Sequence, residues 1–146
     1  MAKRTKKAGT KRGPERCTER KPTDGELAIL GVVWDKGSAT VREVFDTLSA
    51  AQDVGYTTVL KLMQIMTDKG LLVRDASVRP QVFTPAKPRK QTQKVMLGHL
   101  LDGAFSGSPG NLVLQALTMR ESSPEELAEI RAMLDRLDQE REGGAS

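Results

Sequence analysis

Apolar residues in the first half of the chain recur every three or four positions, which predicts short amphipathic helices. Thr23 followed by Glu26 has the spacing of a capping box, and the Lys36-Gly37 pair is typical of the helix end that follows. Thr40 and Glu43 repeat the capping box and open a second helix. The predicted buried positions of these two helices are Leu27, Leu30, Val33 and Trp34, then Val41, Val44, Phe45 and Leu48.

A third helix is predicted to begin near Tyr56 and to end at Lys69-Gly70. Two short β-prone runs follow, Leu71–Arg74 and Gln81–Thr84, and a polar turn joins them. Three short helices followed by a two-stranded hairpin are the plan of a winged helix-turn-helix domain. The sequence therefore predicts a mainly α fold that begins with such a domain.

The third helix has two chemically different faces. At 100° per residue, the core face holds Val59, Leu62, Met63 and Met66, and the opposite face holds Thr57, Thr58, Lys61, Gln64, Ile65 and Asp68. Short hydroxyls followed by longer polar side chains suit a helix that enters the major groove of DNA. An ordinary amphipathic helix with a solvated face is the alternative, and the position directly before a hairpin favours DNA binding.

The remainder of the chain is predicted to be helical. Pro88 ends the hairpin segment, and Lys90–Phe105 has apolar positions that include Leu101 and Phe105. A turn is predicted at Gly107–Gly110, followed by a helix over Leu112–Met119.

The last helix is predicted to begin at Ser123, with Pro124 at its first position and Glu126 closing a capping box. Its apolar residues form a narrow seam at Leu127, Ile130, Leu134 and Leu137. About 55 residues in three short helices form a poor core by themselves, so pairing with a second copy is expected. The alternative is that these helices pack back onto the winged helix. The predicted dimerisation residues are Leu101, Phe105, Leu127, Ile130, Leu134 and Leu137.

Positive charge is concentrated at the N-terminus. Residues 1–22 carry nine basic and two acidic side chains, whereas residues 23–87 carry seven and eight. The first segment has almost no large apolar residue, so it is predicted to be disordered. A cationic arm usually accompanies a polyanion such as nucleic acid, and a solubilising leader is the alternative.

Several function classes are disfavoured by composition. One cysteine, Cys17, and one histidine, His99, leave little material for a disulfide, a metal site or a catalytic triad, so no metal, cofactor or enzymatic activity is expected. His99 is expected to be a packed or rim histidine, and Cys17 an incidental thiol. No run of 18 apolar residues occurs, so no membrane insertion is expected, and the single thiol fits the cytoplasm.

Several motifs jointly resemble the penicillinase repressor (BlaI/MecI) family of winged-helix transcriptional regulators. These motifs are Thr23–Leu27, Val32–Gly37, Ala39–Val44, Tyr56–Leu60, Lys69–Leu71, Arg79 with Val82–Pro85, Asn111–Val113 and Ser123–Leu127. The resemblance spans roughly residues 23–140. It implies a homodimeric repressor that binds a palindromic operator with TACA/TGTA half-sites. Some members are inactivated by cleavage in response to a membrane sensor protease, and this partner is implied here too.

Two positions depart from the family pattern. Family members often carry arginine where this chain has Ile65, and the wing commonly has Gly-Arg-Ala where this chain has Val78-Arg79-Pro80. Arginine binds guanine in a bidentate manner, whereas isoleucine packs on a thymine methyl, so the operator is expected to differ. Arg79 is retained and is expected to contact a phosphate.

The predicted function is a homodimeric repressor that binds a palindromic operator through a recognition helix at about residues 56–69 and a wing. The predicted DNA-binding residues are Tyr56, Thr57, Thr58, Lys61, Gln64, Ile65 and Arg79. The predicted division is a disordered basic tail at 1–22, a winged helix at 23–87, a helical dimerisation domain at 88–142 and a disordered end at 143–146. The alternative function is a winged-helix adaptor that binds protein rather than a specific DNA sequence.

Overall fold

A computed structural model describes residues 19–145 of the chain. Residues 1–18, which include Cys17 and most of the predicted basic tail, lie outside the described residues. The described elements are α1 (Asp24–Lys36), α2 (Val41–Ser49), α3 (Tyr56–Asp68), β1 (Leu72–Asp75), β2 (Val82–Pro85), α4 (Arg89–Gly103), α5 (Pro109–Met119) and α6 (Pro124–Ala145).

Both predicted capping boxes at the start of the fold are confirmed. The Thr23 amide donates to Glu26 Oε1 at 3.0 Å, and the Glu26 amide donates to Thr23 Oγ1 at 3.2 Å. Thr40 and Glu43 make the same reciprocal pair at 2.9 and 3.1 Å. Gly37 ends α1 with φ of 85°, a conformation that glycine adopts without steric cost.

The hairpin begins one residue later than predicted because the end of α3 uses the backbone of Leu71. The Leu71 amide donates to the Met66 carbonyl at 2.8 Å, while Gly70 takes a φ of 82°. The strand β1 therefore starts at Leu72, which pairs with Pro85 in an antiparallel register. Both strands are displaced by one residue from their predicted positions.

The hairpin is joined to the α1–α2 loop by two backbone hydrogen bonds. The Ala39 amide donates to the Phe83 carbonyl at 2.9 Å, and the Phe83 amide donates to the Ala39 carbonyl at 2.8 Å. Beneath this junction lies one hydrophobic core shared by the first three helices and the hairpin. Its buried members are Ile29, Leu30, Val32, Val33, Ala39, Val41, Val44, Val59, Met63, Met66, Leu72 and Phe83.

The first turn of α4 is fixed to the end of α1. Trp34 Nε1 donates to the Lys87 carbonyl at 3.1 Å. The Arg89 guanidinium lies 5.4 Å from the centre of the Trp34 ring and donates to Asp35 Oδ1 at 2.7 Å. The chain divides into two compact units, one ending at Gly103 and the other beginning at Ala104. The helix α4 thus belongs to the first unit, whereas the sequence places a domain boundary between residues 87 and 88.

The described residues before α1 are held against the same unit. Lys87 Nζ lies 2.7 Å from Glu19 Oε2, and His99 Nε2 donates a hydrogen bond to the Glu19 carbonyl. Pro22 is buried. His99 is half-buried, as expected for a packed or rim histidine.

The boundaries of the later helices differ from the prediction at glycine-rich positions. The helix α4 ends at Gly103 rather than at Phe105, since glycine is a poor helix former. Ser108 Oγ accepts from the Asn111 amide at 3.2 Å, so α5 begins at Pro109. The prediction that the turn extends to Gly110 is wrong, because Gly110 lies in the first turn of α5.

The predicted start of the last helix is confirmed. The Ser123 amide donates to Glu126 Oε1, and the Glu126 amide donates to Ser123 Oγ, both at 3.0 Å. The helix α6 runs to Ala145, three residues beyond the predicted end of the helical domain at residue 142 and into the segment predicted to be disordered. None of the helices within residues 19–145 is long and apolar enough to cross a membrane.

Candidate nucleic-acid interface

The helix α3 presents one buried face and one exposed face. Val59, Met63 and Met66 are fully buried in the core of the first unit. The exposed residues are Tyr56, Thr57, Thr58, Lys61, Gln64, Ile65 and Asp68. Burial thus confirms the predicted division of this helix into two faces, although Leu62 is only partly buried. Six of the seven predicted DNA-binding residues lie on this exposed surface of one helix.

Arg79, the seventh predicted residue, lies in the loop between β1 and β2 and is exposed. The turn before it is shaped by Asp75, whose Oδ1 accepts from the Ser77 hydroxyl at 2.6 Å and from the Ser77 amide at 3.0 Å. These two hydrogen bonds, the one from the hydroxyl first, lower the pKa of Asp75. The tip of the hairpin therefore has a defined local conformation that presents Arg79 to solvent.

The end of α3 is held against the start of α1 by an ion pair. Lys69 Nζ lies 2.6 Å from Oε2 of Glu26, whose residue is only 2% exposed. Burial raises the pKa of Glu26, but the hydrogen bonds from Lys69 and Thr23 and the positive charge of Lys69 outweigh that effect and leave the pKa below 4.5. The sequence identifies Glu26 only as a capping residue and gives no signal for its pairing with Lys69.

A cleft of about 230 Å³ lies between α2, α3 and the hairpin, beside the exposed face of α3. Its lining includes Tyr56 and Gln64, and also Arg42 from α2 and Arg74 from β1. Sequence reasoning missed both arginines as candidates for the interface. Their placement in one cleft depends on how the hairpin folds back, which no local pattern encodes.

The second unit carries the predicted seam of α6. Leu134 and Leu137 are 55% and 49% exposed, while Leu127 and Ile130 are partly buried. Leu101 on α4 and Phe105 after it are also partly buried. Further large apolar residues exposed on α5 and α6 or at their ends are Val113, Leu114, Met119 and Met133. From residue 104 to 144 no residue is buried, so this unit has no closed core of its own.

Three helices, a polar exposed face on the third and an antiparallel hairpin after it define a winged helix-turn-helix protein. The predicted fold class, mainly α with a winged helix followed by a helical part, is confirmed. The sequence pattern of one family, described as the penicillinase repressor, matches residues 22–136. The chain therefore belongs to the penicillinase repressor family.

Individual relatives have modest sequence identity. The chain is 31% identical over 87 residues to a protein of Mycobacterium tuberculosis named transcriptional regulator BlaI, covering 58% of this chain and 63% of that one. It is 26% identical over 113 residues to the penicillinase repressor of Bacillus licheniformis, covering 77% of this chain and 88% of that one. The chain thus spans less than two thirds of the length of the mycobacterial relative.

Similar solved structures include two of BlaI. The DNA-binding domain of the repressor BlaI matches with a TM-score of 0.43 at 26% identity, over 47% of this chain and 83% of that one. The Bacillus licheniformis BlaI monomer in complex with the blaP half-operator matches with a TM-score of 0.44 at 25% identity, over 49% and 87%. A MarR family protein from Bacillus stearothermophilus matches with a TM-score of 0.47 at 19% identity, over 82% and 75%.

Proposed function

We propose that this chain is a transcriptional repressor that binds duplex operator DNA through the exposed face of α3 and the hairpin. One observation carries the proposal: Thr57, Thr58 and Lys61 form an exposed polar surface on a helix whose other face is locked in the core. A rigid helix with such a surface fits the major groove, where base edges present distinct donors and acceptors.

The roles of the proposed contacts follow from side-chain chemistry. Gln64 has an amide that pairs with adenine, and Lys61 has an ammonium that binds guanine or a phosphate. Ile65 has no polar atom in its side chain, so it contacts the methyl group of thymine. Arg79 binds a phosphate next to the groove that α3 occupies. We propose no enzymatic activity, because the chain belongs to a family of repressors.

We further propose that the repressor is a homodimer. Exposed apolar side chains such as Leu134 and Leu137, in a unit without buried residues, support pairing with a second copy. A twofold axis in such a dimer matches a palindromic operator, because each subunit then binds one half-site.

The family resemblance extends the proposal in two ways. The repressor acts in the cytoplasm, and a membrane sensor protease triggers its release from DNA. Inspection of the neighbouring genes tests release by a protease. We expect one of them to encode a membrane metalloprotease. The adaptor alternative is not favoured, because the relatives found are named repressors and regulators.

Fluorescence anisotropy with two labelled duplexes tests DNA binding directly. One duplex carries the promoter sequence upstream of the gene, and the other is a scrambled sequence of the same composition. A repressor binds its operator about 10³–10⁷ times more tightly than other DNA at physiological salt. Equal affinity for the two duplexes, or no binding to either, would contradict the proposed function.

A further inference from the structure

Two clefts of the first unit differ in how the charges that line them are paired. The larger cleft, of about 380 Å³, contains Glu19 and Glu26, which pair with Lys87 and Lys69 at 2.7 and 2.6 Å. Its carboxylates thus neutralise two of its four cations, and Arg20 and Lys21 leave this cleft with a net positive charge as well. The smaller cleft, of about 230 Å³, is lined by two arginines and by no acidic residue. A surface with this charge favours an anionic ligand.

The smaller cleft has a buried floor and an exposed rim. Val41 and Phe83 are buried, whereas Arg42, Arg74 and Tyr56 are exposed. The cleft is below the range of about 300–1,000 Å³ that is usual for pockets enclosing drug-sized molecules. Its size and exposure fit a segment of an extended polyanion better than an enclosed small molecule.

The guanidinium of Arg42 lies against two aromatic rings. Its guanidinium carbon lies 5.7 Å from the centre of the Phe45 ring and 6.0 Å from that of Tyr56. The two rings pack edge to face, with centroids 5.6 Å apart. Asp46 lies 3.5 Å from Nε of Arg42, but both side chains are well exposed, so this ion pair is weak. Contact with the two rings restricts the guanidinium before any ligand arrives, which lowers the entropic cost of binding.

We propose that Arg42 and Arg74 together bind the phosphodiester backbone of one DNA strand in this cleft. The inference rests on the proposed function, since Tyr56 and Gln64 of the recognition helix α3 line the same cleft. A strand that leaves the groove occupied by α3 passes next to these arginines. Guanidinium groups bind phosphate through paired N–H donors, so the cleft fixes the depth and angle of α3 in the groove.

The experiment compares Arg42→Gln, Arg74→Gln and the double variant with Lys94→Gln, which removes one exposed positive charge from α4 in the same unit. Affinity is measured by anisotropy at several salt concentrations for the duplex that carries the promoter sequence and for the scrambled duplex. Removing one cation that neutralises a phosphate reduces the slope of log affinity against log salt by about 0.9. We expect each single arginine variant to reduce the slope by this amount for every protomer bound. We also expect each variant to lose affinity by a similar factor on both duplexes.

A slope unchanged from that of Lys94→Gln would overturn the proposal. Loss of affinity confined to the promoter duplex, with an unchanged slope, would also overturn the proposal, because it would assign the arginines to base contacts. Wild-type binding without preference for either duplex contradicts the repressor function alone, because the slopes still measure phosphate contacts. Arg42→Lys keeps the charge and separates charge from stacking, and urea unfolding verifies that each variant is folded.

Discussion

The side-chain nitrogen of Lys69 lies 2.6 Å from Oε2 of Glu26, although the two residues are 43 positions apart in the sequence. Glu26 also closes the capping box of α1 through its other oxygen, Oε1, which accepts from the Thr23 amide. One buried carboxylate thus caps α1 at its start and fixes α3 at its end. The position of α3 is therefore fixed in part by an ion pair outside the proposed DNA contacts.

Removing Lys69 leaves that carboxylate buried without its counter-charge. We expect Lys69→Met to lower the free energy of unfolding by about 2 kcal/mol, because the Glu26 carboxylate is almost fully buried while the Lys69 side chain is 29% exposed. The double variant Glu26→Gln with Lys69→Met is expected to lose less, because no charge remains buried. Urea unfolding measures both, and equal losses in the single and double variants would contradict the coupling. Arg131→Met on α6 is the control for removal of an exposed cation.

The same pair makes stability depend on pH. The folded-state pKa of Glu26 is lowered from 4.5, so its contribution is fully present above that value and is lost as pH falls through the folded-state pKa. Below about pH 4.5, wild type is therefore expected to lose stability faster than Glu26→Gln. Thermal unfolding between neutral pH and about pH 3 measures the difference. Parallel curves for the two proteins would show that Glu26 is not the group responsible.

Substitution of Lys61 and of Ile65 tests whether α3 contacts the bases of the operator. If Lys61 binds a base, Lys61→Ala costs about 1–3 kcal/mol more on the operator than on a scrambled duplex. Equal losses on both would assign Lys61 to a phosphate. Ile65→Arg supplies a bidentate guanine ligand, so we expect its preferred half-site to gain a guanine at one position. Selection from a randomised half-site library reports that preference, and an unchanged half-site would place Ile65 outside the groove.

Substitutions in the apolar seam of α6 test whether the chain forms a homodimer. Leu134→Asp places a charge among exposed apolar side chains and is expected to convert a dimer into a monomer, with a sharp loss of operator affinity. Ala132→Asp introduces the same residue about 160° away on the helix, where a dimer should tolerate it. Sedimentation equilibrium compares the two variants. A wild-type protein that is monomeric at tens of micromolar would refute the dimer.

Deletion of the basic N-terminal segment tests whether its charge attracts the protein to DNA. Residues 2–18 contain seven basic side chains and one acidic one, while residues 19–146 contain sixteen basic and eighteen acidic ones. Deleting residues 2–18 is expected to flatten the salt dependence on operator and scrambled duplexes alike, by about 0.9 in slope for each phosphate that this segment neutralises. The ratio of the two affinities should remain. An unchanged slope would assign the charge to another partner.

Much of the fold and part of the candidate site followed from local patterns. Capping boxes such as Thr23 with Glu26 act within one helical turn, so the sequence alone predicts where α1, α2 and α6 begin. The two faces of α3 follow from the helical period, because Val59 and Met63 must lie on one side and Lys61 on the other. Strand limits were displaced by one residue, since the Leu71 amide was required to close α3.

Only the tertiary structure decided which residues far apart in the chain come into contact. Asp35 and Arg89 are 54 positions apart, and their ion pair joins α4 to the first unit, beyond the boundary that Pro88 suggests. Arg42 and Arg74 line one cleft because the hairpin folds back past α2, which their sequence positions do not encode. Periodicity and capping are set by neighbours within a few residues, so the sequence determines which face of each helix is apolar. The path of the chain in space depends on how all those faces pack at once, and only that packing brings distant charges together.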